Sequence, residues 1–286
     1  MLKEKVETAI ERLRLADSMS RKYMDNEPLY ICISGGKDSS VIQQLVVESG
    51  LEVVFTNNHT TVDAPETVYF IRREFERLKG MGYKTQIIYP KQSMWKLIEK
   101  NLGFPPTRIA RYCCKALKEN SVRNSEGKPA FIVTGVRWEE STKRKQRNEF
   151  EARASDPSKT VRIAANDNDL SRKLFEDCRL RSERVCNPII DWTDEDVWEF
   201  IRDRNIPYNP LYDEGFKRIG CIGCPFSTRQ QKLDIFERYP KYKKAYISAM
   251  DRGLEKRRLA GKDLPWKDGE DVFNWWISGS NKSSSD

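Results

Sequence analysis

The sequence predicts an α/β fold: a doubly wound, mostly parallel sheet with helical N- and C-terminal segments. Three observations carry the prediction. Short apolar runs alternate with amphipathic stretches of helical spacing. One of those runs ends in a glycine turn, Ser34-Gly35-Gly36-Lys37-Asp38-Ser39. The helical stretches are also long enough to cross over from one parallel strand to the next.

Taken in order, Leu2, Val6, Ala9, Ile10 and Leu13 recur every third or fourth position and predict a helix over 2–23 lying on a core. A break at 25–28 precedes the apolar run 29–33, a buried strand, and a helix over 39–48. The alternation repeats with a strand over 51–56, a helix over 65–78, a strand over 84–89 and a helix over 93–100. A further strand over 130–133 ends at Gly135. The stretch 139–185 is rich in charge and turn formers and has little periodicity, so it reads as an insertion or long mobile segment above the sheet. Thr193 is a good N-cap, and Asp194, Glu195 and Asp196 are the acidic first turn of a helix running to Ile201. A last helical region covers 228–256. The expected domains are an N-terminal helix (1–25), a nucleotide-binding domain (26–227, insertion about 139–185), a helical region (228–277) and a disordered tail (278–286).

Hydrophobic residues make up 38% and charged residues 33% of the 286 residues, and no run approaches the ~18 apolar residues of a membrane span. The amino terminus leads into an amphipathic pattern and not a signal peptide. A cytosolic protein with no membrane contact is expected. Seven cysteines occur as a touching pair (Cys113, Cys114), a C-x-x-C (Cys221, Cys224) and three singles (Cys32, Cys178, Cys186), which favours metal or redox use over a disulfide scaffold. A net charge of +8 suits an anionic partner, a nucleotide or nucleic acid, as well as it suits a merely soluble basic surface.

The glycine turn lies between an apolar strand and a helix start, the arrangement that offers backbone N–H groups and a helix dipole to a phosphate. Gly35 and Gly36 let the backbone approach, Ser34 and Ser39 add hydroxyl donors, Lys37 adds charge, and Asp38 can assist a metal ion. The spacing is not that of a Walker A loop. An ordinary tight strand–turn–helix is the plain alternative.

The string SGGKDS resembles the PP-loop of ATP pyrophosphatases, which cleave ATP between the α and β phosphates. Further blocks, 63–70 (DAPETVYF), 111–115 (RYCCK), 134–141 (TGVRWEES), 187–198 and 210–216 (PLYDEGF), resemble the phosphoadenosine phosphosulfate (PAPS) reductase-like family in order from about 29 to 226. The resemblance implies an adenine nucleotide alpha-hydrolase-like, Rossmann-like fold. Reductases of this family share an E-C-G-[LI]-H tail with a nucleophilic cysteine, and no cysteine follows Cys224 here. An ATP-type loop without that tail is closer to the DndC- and SspD-type proteins of DNA phosphorothioate modification.

Cys113, Cys114, Cys221 and Cys224 offer four thiolates, enough for a [4Fe–4S] cluster or a structural zinc. Adjacent cysteines chelate a single small ion awkwardly, and the resemblance also favours the cluster. Cys32 reads as core filling, while Cys178 and Cys186 are open to a redox or sulfur-carrying role. Arg137, Glu140 and Arg144 fall just past a strand end, where open α/β sheets bind ligands. Arg137 suits a phosphate or sulfate, as Gly135 before it suits a nucleotide. Thr56 and Asn57 close the second strand and are candidates to frame adenine or ribose. The basic run 143–147 fits a nucleic-acid backbone or a solvated loop. His59 reads as a polar loop residue, and Trp192, Trp198, Trp266, Trp275 and Trp276 as packing.

These residues predict an ATP-dependent, AMP- and pyrophosphate-forming sulfurtransferase. Its catalytic residues would be Lys37, Asp38 and Arg137, its cofactors a 4Fe-4S cluster and Mg2+, and its nucleotide ATP. The acceptor would be nucleic acid, DNA by the resemblance, with a cysteine desulfurase or other sulfur donor as partner and a homodimer left open. The alternatives are a reductase of adenylyl sulfate or PAPS that releases sulfite, and a non-catalytic nucleotide- and cluster-binding module.

Overall fold

A computed structural model describes residues 2–118, 122–123, 127–142, 144–153, 161–163, 183–262 and 265–278. Lys143, Cys178, the turn 155–158 and the tail from 279 onward lie outside the described residues. The chain forms two compact units. The first, the sheet unit, comprises Met1–Asn58, Pro65–Ile88 and Asn120–Ile219; the second, the cysteine unit, comprises His59–Ala64, Tyr89–Glu119 and Gly220–Asp286.

The sheet unit contains α1 (Leu2–Tyr23), β1 (Leu29–Cys32), α2 (Lys37–Ser49), β2 (Val53–Asn58), α3 (Pro65–Gly80) and β3 (Lys84–Ile88). It continues with β4 (Phe131–Val133), β5 (Phe150–Arg153), β6 (Val161–Ile163), β7 (Glu183–Cys186) and α6 (Asp194–Asp203). Seven strands pair in the order β3-β2-β1-β4-β7-β5-β6. The first five are parallel, and β5 runs antiparallel to both β7 and β6. The doubly wound, mostly parallel sheet is therefore present.

Alternate residues of the central strands enter different clusters. Leu29 and Ile31 of β1, Phe131 and Val133 of β4, and Cys186 of β7 join the main core with α1, α2 and α6. Tyr30, Ile132 and Val185 join a second, smaller cluster. A strand buried on both faces must be apolar throughout, which is why these strands read as runs and not as alternations. Arg12 fastens α1 by donating to the Pro188 carbonyl at 2.9 Å and to Asp191 at 2.8 Å.

One expectation needs correction. The stretch 139–185 is not without regular structure: β5, β6 and residues 183–185 of β7 lie in it and extend the sheet. Their three or four residues are too short to display a period. The region 228–256 is helical as expected, divided between two helices. The cysteine unit contains α4 (Met94–Lys100), α5 (Tyr112–Leu117), α7 (Arg229–Arg238), α8 (Pro240–Leu259) and α9 (Gly269–Ser278). Pro240 sits in the first turn of α8, where its missing N–H costs nothing, and so separates it from α7. Helix α8 packs on α4 and α9, and Tyr246, Met250, Phe273 and Trp276 fill the space among them. No helix among the described residues is long and apolar enough to cross a membrane.

Charge is divided unevenly. The sheet unit has 31 Lys and Arg against 31 Asp and Glu, and the cysteine unit has 20 against 12, so the whole net +8 belongs to the second.

Candidate nucleotide and cysteine sites

Winding of the sheet reverses at β1, which has β2 on one side and β4 on the other. The carboxyl ends of such a strand pair are where doubly wound sheets bind ligands, and here they lead into 34–39 and 134–141. Gly35 takes φ +76°, and a Cβ there would come within 2.8 Å of Thr67. Asn209 holds the turn by donating to the Gly35 carbonyl at 3.3 Å and to Thr67 at 2.9 Å. Helix α2 opens at Gly36 with no side-chain cap. The Ser39 hydroxyl stays inside the loop, donating to the Gly36 carbonyl at 2.7 Å and accepting from the Ser34 N–H at 3.3 Å. Tyr212 accepts from the Lys37 N–H at 3.0 Å, and burial pushes its phenol up to about 12.

Lys37 and Arg137 meet around carboxylates. The Lys37 ammonium lies 2.9 Å from Asp194 and 3.6 Å from Asp38. Arg137 donates to Asp38 at 2.6 Å, Asp194 at 2.7 Å, Glu139 at 3.0 Å and the Trp192 carbonyl at 3.2 Å. Its side chain is 2% exposed, so it is no solvated loop residue. Burial opposes its charge, but Asp38 and Asp194 outweigh that and raise its pKa. Burial likewise opposes the charge of Asp194, yet Lys37 and Arg137 lower its pKa. A Cβ on Gly135 would come within 3.1 Å of Asp38, which keeps the β4 loop against the first turn of α2.

The remaining candidates separate. Thr56 is buried, and its hydroxyl has no partner among the described residues. The Asn57 amide is spent on the Ile33 carbonyl at 2.7 Å, fixing the strand end. Arg144 pairs with Glu140, and Arg147 with Glu151 at 2.6 Å, so these two cations of the basic run are answered locally. Cys186 is fully buried, and burial pushes its thiol pKa up, which removes it as an accessible nucleophile. Sequence reasoning missed Asp194, Tyr212 and Asn209 as site residues. Asp194 read only as first-turn charge, and nothing local signals a pairing 57 positions away from Arg137.

The cysteine unit brings its four thiols into one neighbourhood. Cys113 and Cys114 lie in the first turn of α5. Cys221 and Cys224 flank a turn closed by the Cys224 N–H donating to the Cys221 carbonyl at 3.1 Å. Gly223 takes φ +74° there, and a Cβ would strike Trp276 at 2.8 Å and both Phe236 and Tyr246 at 3.0 Å. The Ile222 N–H donates to the Val62 carbonyl at 2.7 Å, and the Tyr246 hydroxyl to the Ile222 carbonyl at 2.8 Å. The Cys114 hydrogen bond and burial, with the charges of Cys114 and Cys221, raise the Cys113 pKa. Burial, then Cys221, Cys113, Tyr112 and Cys224, push the Tyr246 phenol up. Cys221 also raises the pKa of the Lys118 ammonium beside it. Among the described residues no three His, Cys, Asp or Glu side chains are disposed to hold a metal ion. The donor type, two thiols on α5 and two on a glycine-dependent turn of the same unit with a lysine beside them, is the one that thiolate-bound clusters use. His59 is a loop residue of this unit, its ring centred 5.3 Å from that of Tyr89 and tilted 35° to it.

Residues 28–227 match the phosphoadenosine phosphosulfate reductase domain. An uncharacterized protein of Methanocaldococcus jannaschii is 26% identical over 262 residues, covering 88% of this chain and 56% of that protein. An adenosine 5'-phosphosulfate reductase of Bacillus cereus is 28% identical over 214 residues, covering 72% of this chain and 76% of that protein. Among solved structures, the phosphate complex of phosphoadenylyl-sulfate reductase from Candida auris aligns with a TM-score of 0.46 at 18% identity, over 72% of this chain and 87% of that one.

Proposed function

Because the chain belongs to the phosphoadenosine phosphosulfate reductase family, we propose that it is an ATP-dependent sulfurtransferase acting on a nucleic-acid acceptor. The observation that carries this reading is the pairing of Lys37 and Arg137 around Asp38 and Asp194, beside an uncapped helix start at the winding reversal. Two cations at the positive end of a helix suit a triphosphate. Asp38 and Asp194 are the carboxylates that would hold magnesium.

In the proposed reaction an acceptor phosphate oxygen attacks the α-phosphorus of ATP. The α–β bond breaks, pyrophosphate leaves, and the acceptor is adenylated. A sulfur nucleophile at the hydrosulfide level then attacks the acceptor phosphorus, and AMP departs with the acceptor oxygen. Lys37 and Arg137 offset charge as it develops on the phosphates. Cys113, Cys114, Cys221 and Cys224 would hold a [4Fe–4S] cluster, which when bound supplies thiophilic, redox-active iron.

A second reading, reduction of adenylyl sulfate to sulfite, is favoured by the similarity to the Bacillus cereus reductase. The test is acceptor-dependent pyrophosphate release from ATP. Wild-type protein should release it, and Lys37→Ala should slow it by about 10²–10³-fold. Sulfite formation from adenylyl sulfate without pyrophosphate release from ATP would replace this reading with the second.

A further inference from the structure

The cysteine unit has a surface feature that the chemistry above does not use. The loop 107–111 (TRIAR) closes on itself, with the Thr107 N–H donating to the Ala110 carbonyl at 3.2 Å and the Ala110 N–H to the Thr107 hydroxyl at 3.0 Å. That turn holds Ile109 at its tip, 97% exposed. Burying a side chain of this size in the core is worth about 1.5–3 kcal/mol, and this one contributes nothing of the kind. Arg108 donates to the Pro225 carbonyl at 3.3 Å, tying the loop to the segment after Cys224. The Arg111 guanidinium lies over the Phe226 ring, 5.5 Å from its centroid, and Phe226 is itself 46% exposed. Arg108, Arg111, Lys115 and Arg229 are exposed around the two loops.

The feature abuts both cysteine pairs. Arg111 stands two positions before Cys113, and Phe226 two positions after Cys224. The surrounding charge is one-sided: from 89 to 118 there are seven Lys and Arg against Glu99 alone.

Deepening the nucleic-acid reading above, on which it rests, we infer that loops 107–111 and 225–229 form a docking platform for single-stranded nucleic acid. Phe226, with Arg111 over it, offers a face on which a base stacks. Ile109 supplies an apolar wedge of the kind that separates neighbouring bases. Arg108 and Arg111 contact the flanking phosphates. An exposed aromatic, an apolar tip and several cations fit a chain of alternating flat bases and phosphates better than an acidic protein surface, which offers charge without stacking partners.

The test is fluorescence anisotropy of labelled oligonucleotides, DNA and RNA of one sequence, with the full-length iron-loaded protein across a salt series. Wild type should bind with salt-dependent affinity, and the two oligonucleotides show which sugar is preferred. Phe226→Ala should weaken binding by about five- to a hundred-fold. Arg108→Gln combined with Arg111→Gln should reduce the salt slope by roughly 1.4, about 0.7 per phosphate. Ile109→Ser, at a site where folding is not at stake, should weaken binding while iron content and ATP binding stay at wild-type levels. If wild type binds and all three variants bind equally well with the same slope, the platform is overturned and the nucleic-acid acceptor stands. If wild type binds anionic vesicles but neither oligonucleotide, the acceptor reading falls and the platform with it.

Discussion

In the sheet unit the prominent cations are already answered by carboxylates: Arg137 by three, Lys37 by two, Arg147 by Glu151 and Arg12 by Asp191 and Glu149. The cysteine unit leaves eight positive charges uncompensated. The difference suits the two ligands proposed above, a nucleotide and a nucleic acid. A site for one small, highly charged ligand needs its cations fixed in place, and paired carboxylates fix them before the ligand arrives. A surface for a long polyanion needs net charge and reach, and counterions released from the polymer supply its affinity.

The largest effect that would break this comparison is at the cysteines. Cys221→Ser should abolish the iron content and visible absorbance of anaerobically prepared protein while leaving ATP affinity within about two-fold. Unchanged iron would remove Cys221 from the ligand set. Next comes Arg137→Ala, which strands Asp38, Glu139 and Asp194 together. Discounted for the partial exposure of Glu139 and Asp194, the loss should be about 2–4 kcal/mol, or roughly 5–15 °C in the thermal midpoint of the sheet unit, with iron retained. A midpoint within about 1–2 °C of wild type would mean that the carboxylate knot is not structural.

The smallest expected effect sharpens the contrast, because the cysteine unit has one compensated cluster of its own. Glu99 is buried and accepts from Arg252 at 2.6 Å and from Lys256 and Lys96. The Arg252 hydrogen bond, against burial and with Lys256, lowers its pKa from 4.5 to about 2. A lowered carboxylate pKa means stability that is present above the ordinary value and lost as pH falls from 4.5 towards 2. Glu99→Gln should cost about 1–2 kcal/mol at neutral pH, since its partners are half-exposed, and should flatten acid unfolding in that window. An unaltered acid limb would show that Glu99 does not govern it.

Much of the sheet unit was legible in the sequence because its signals are local. A strand buried on both faces is an apolar run, and the phosphate loop is six consecutive residues. The rest was not legible, for reasons of distance and length. Asp194 joins Lys37 and Arg137 only through the fold, and Tyr212 reaches Lys37 across 175 positions. Strands β5 to β7 are too short to show alternation. The cysteine unit draws His59–Ala64, Tyr89–Glu119 and Gly220–Asp286 from three separate stretches. No periodicity could have announced that union, although the cysteine spacing suggested that two of those stretches meet.

Equilibrium binding of ATP and of phosphoadenosine phosphosulfate to the iron-loaded protein, measured side by side, tests the central claim most directly. The Lys37–Arg137 site should prefer ATP by at least about ten-fold, a difference of about 1.4 kcal/mol. A preference of that size for the sulfated nucleotide would contradict the account and make the protein a reductase.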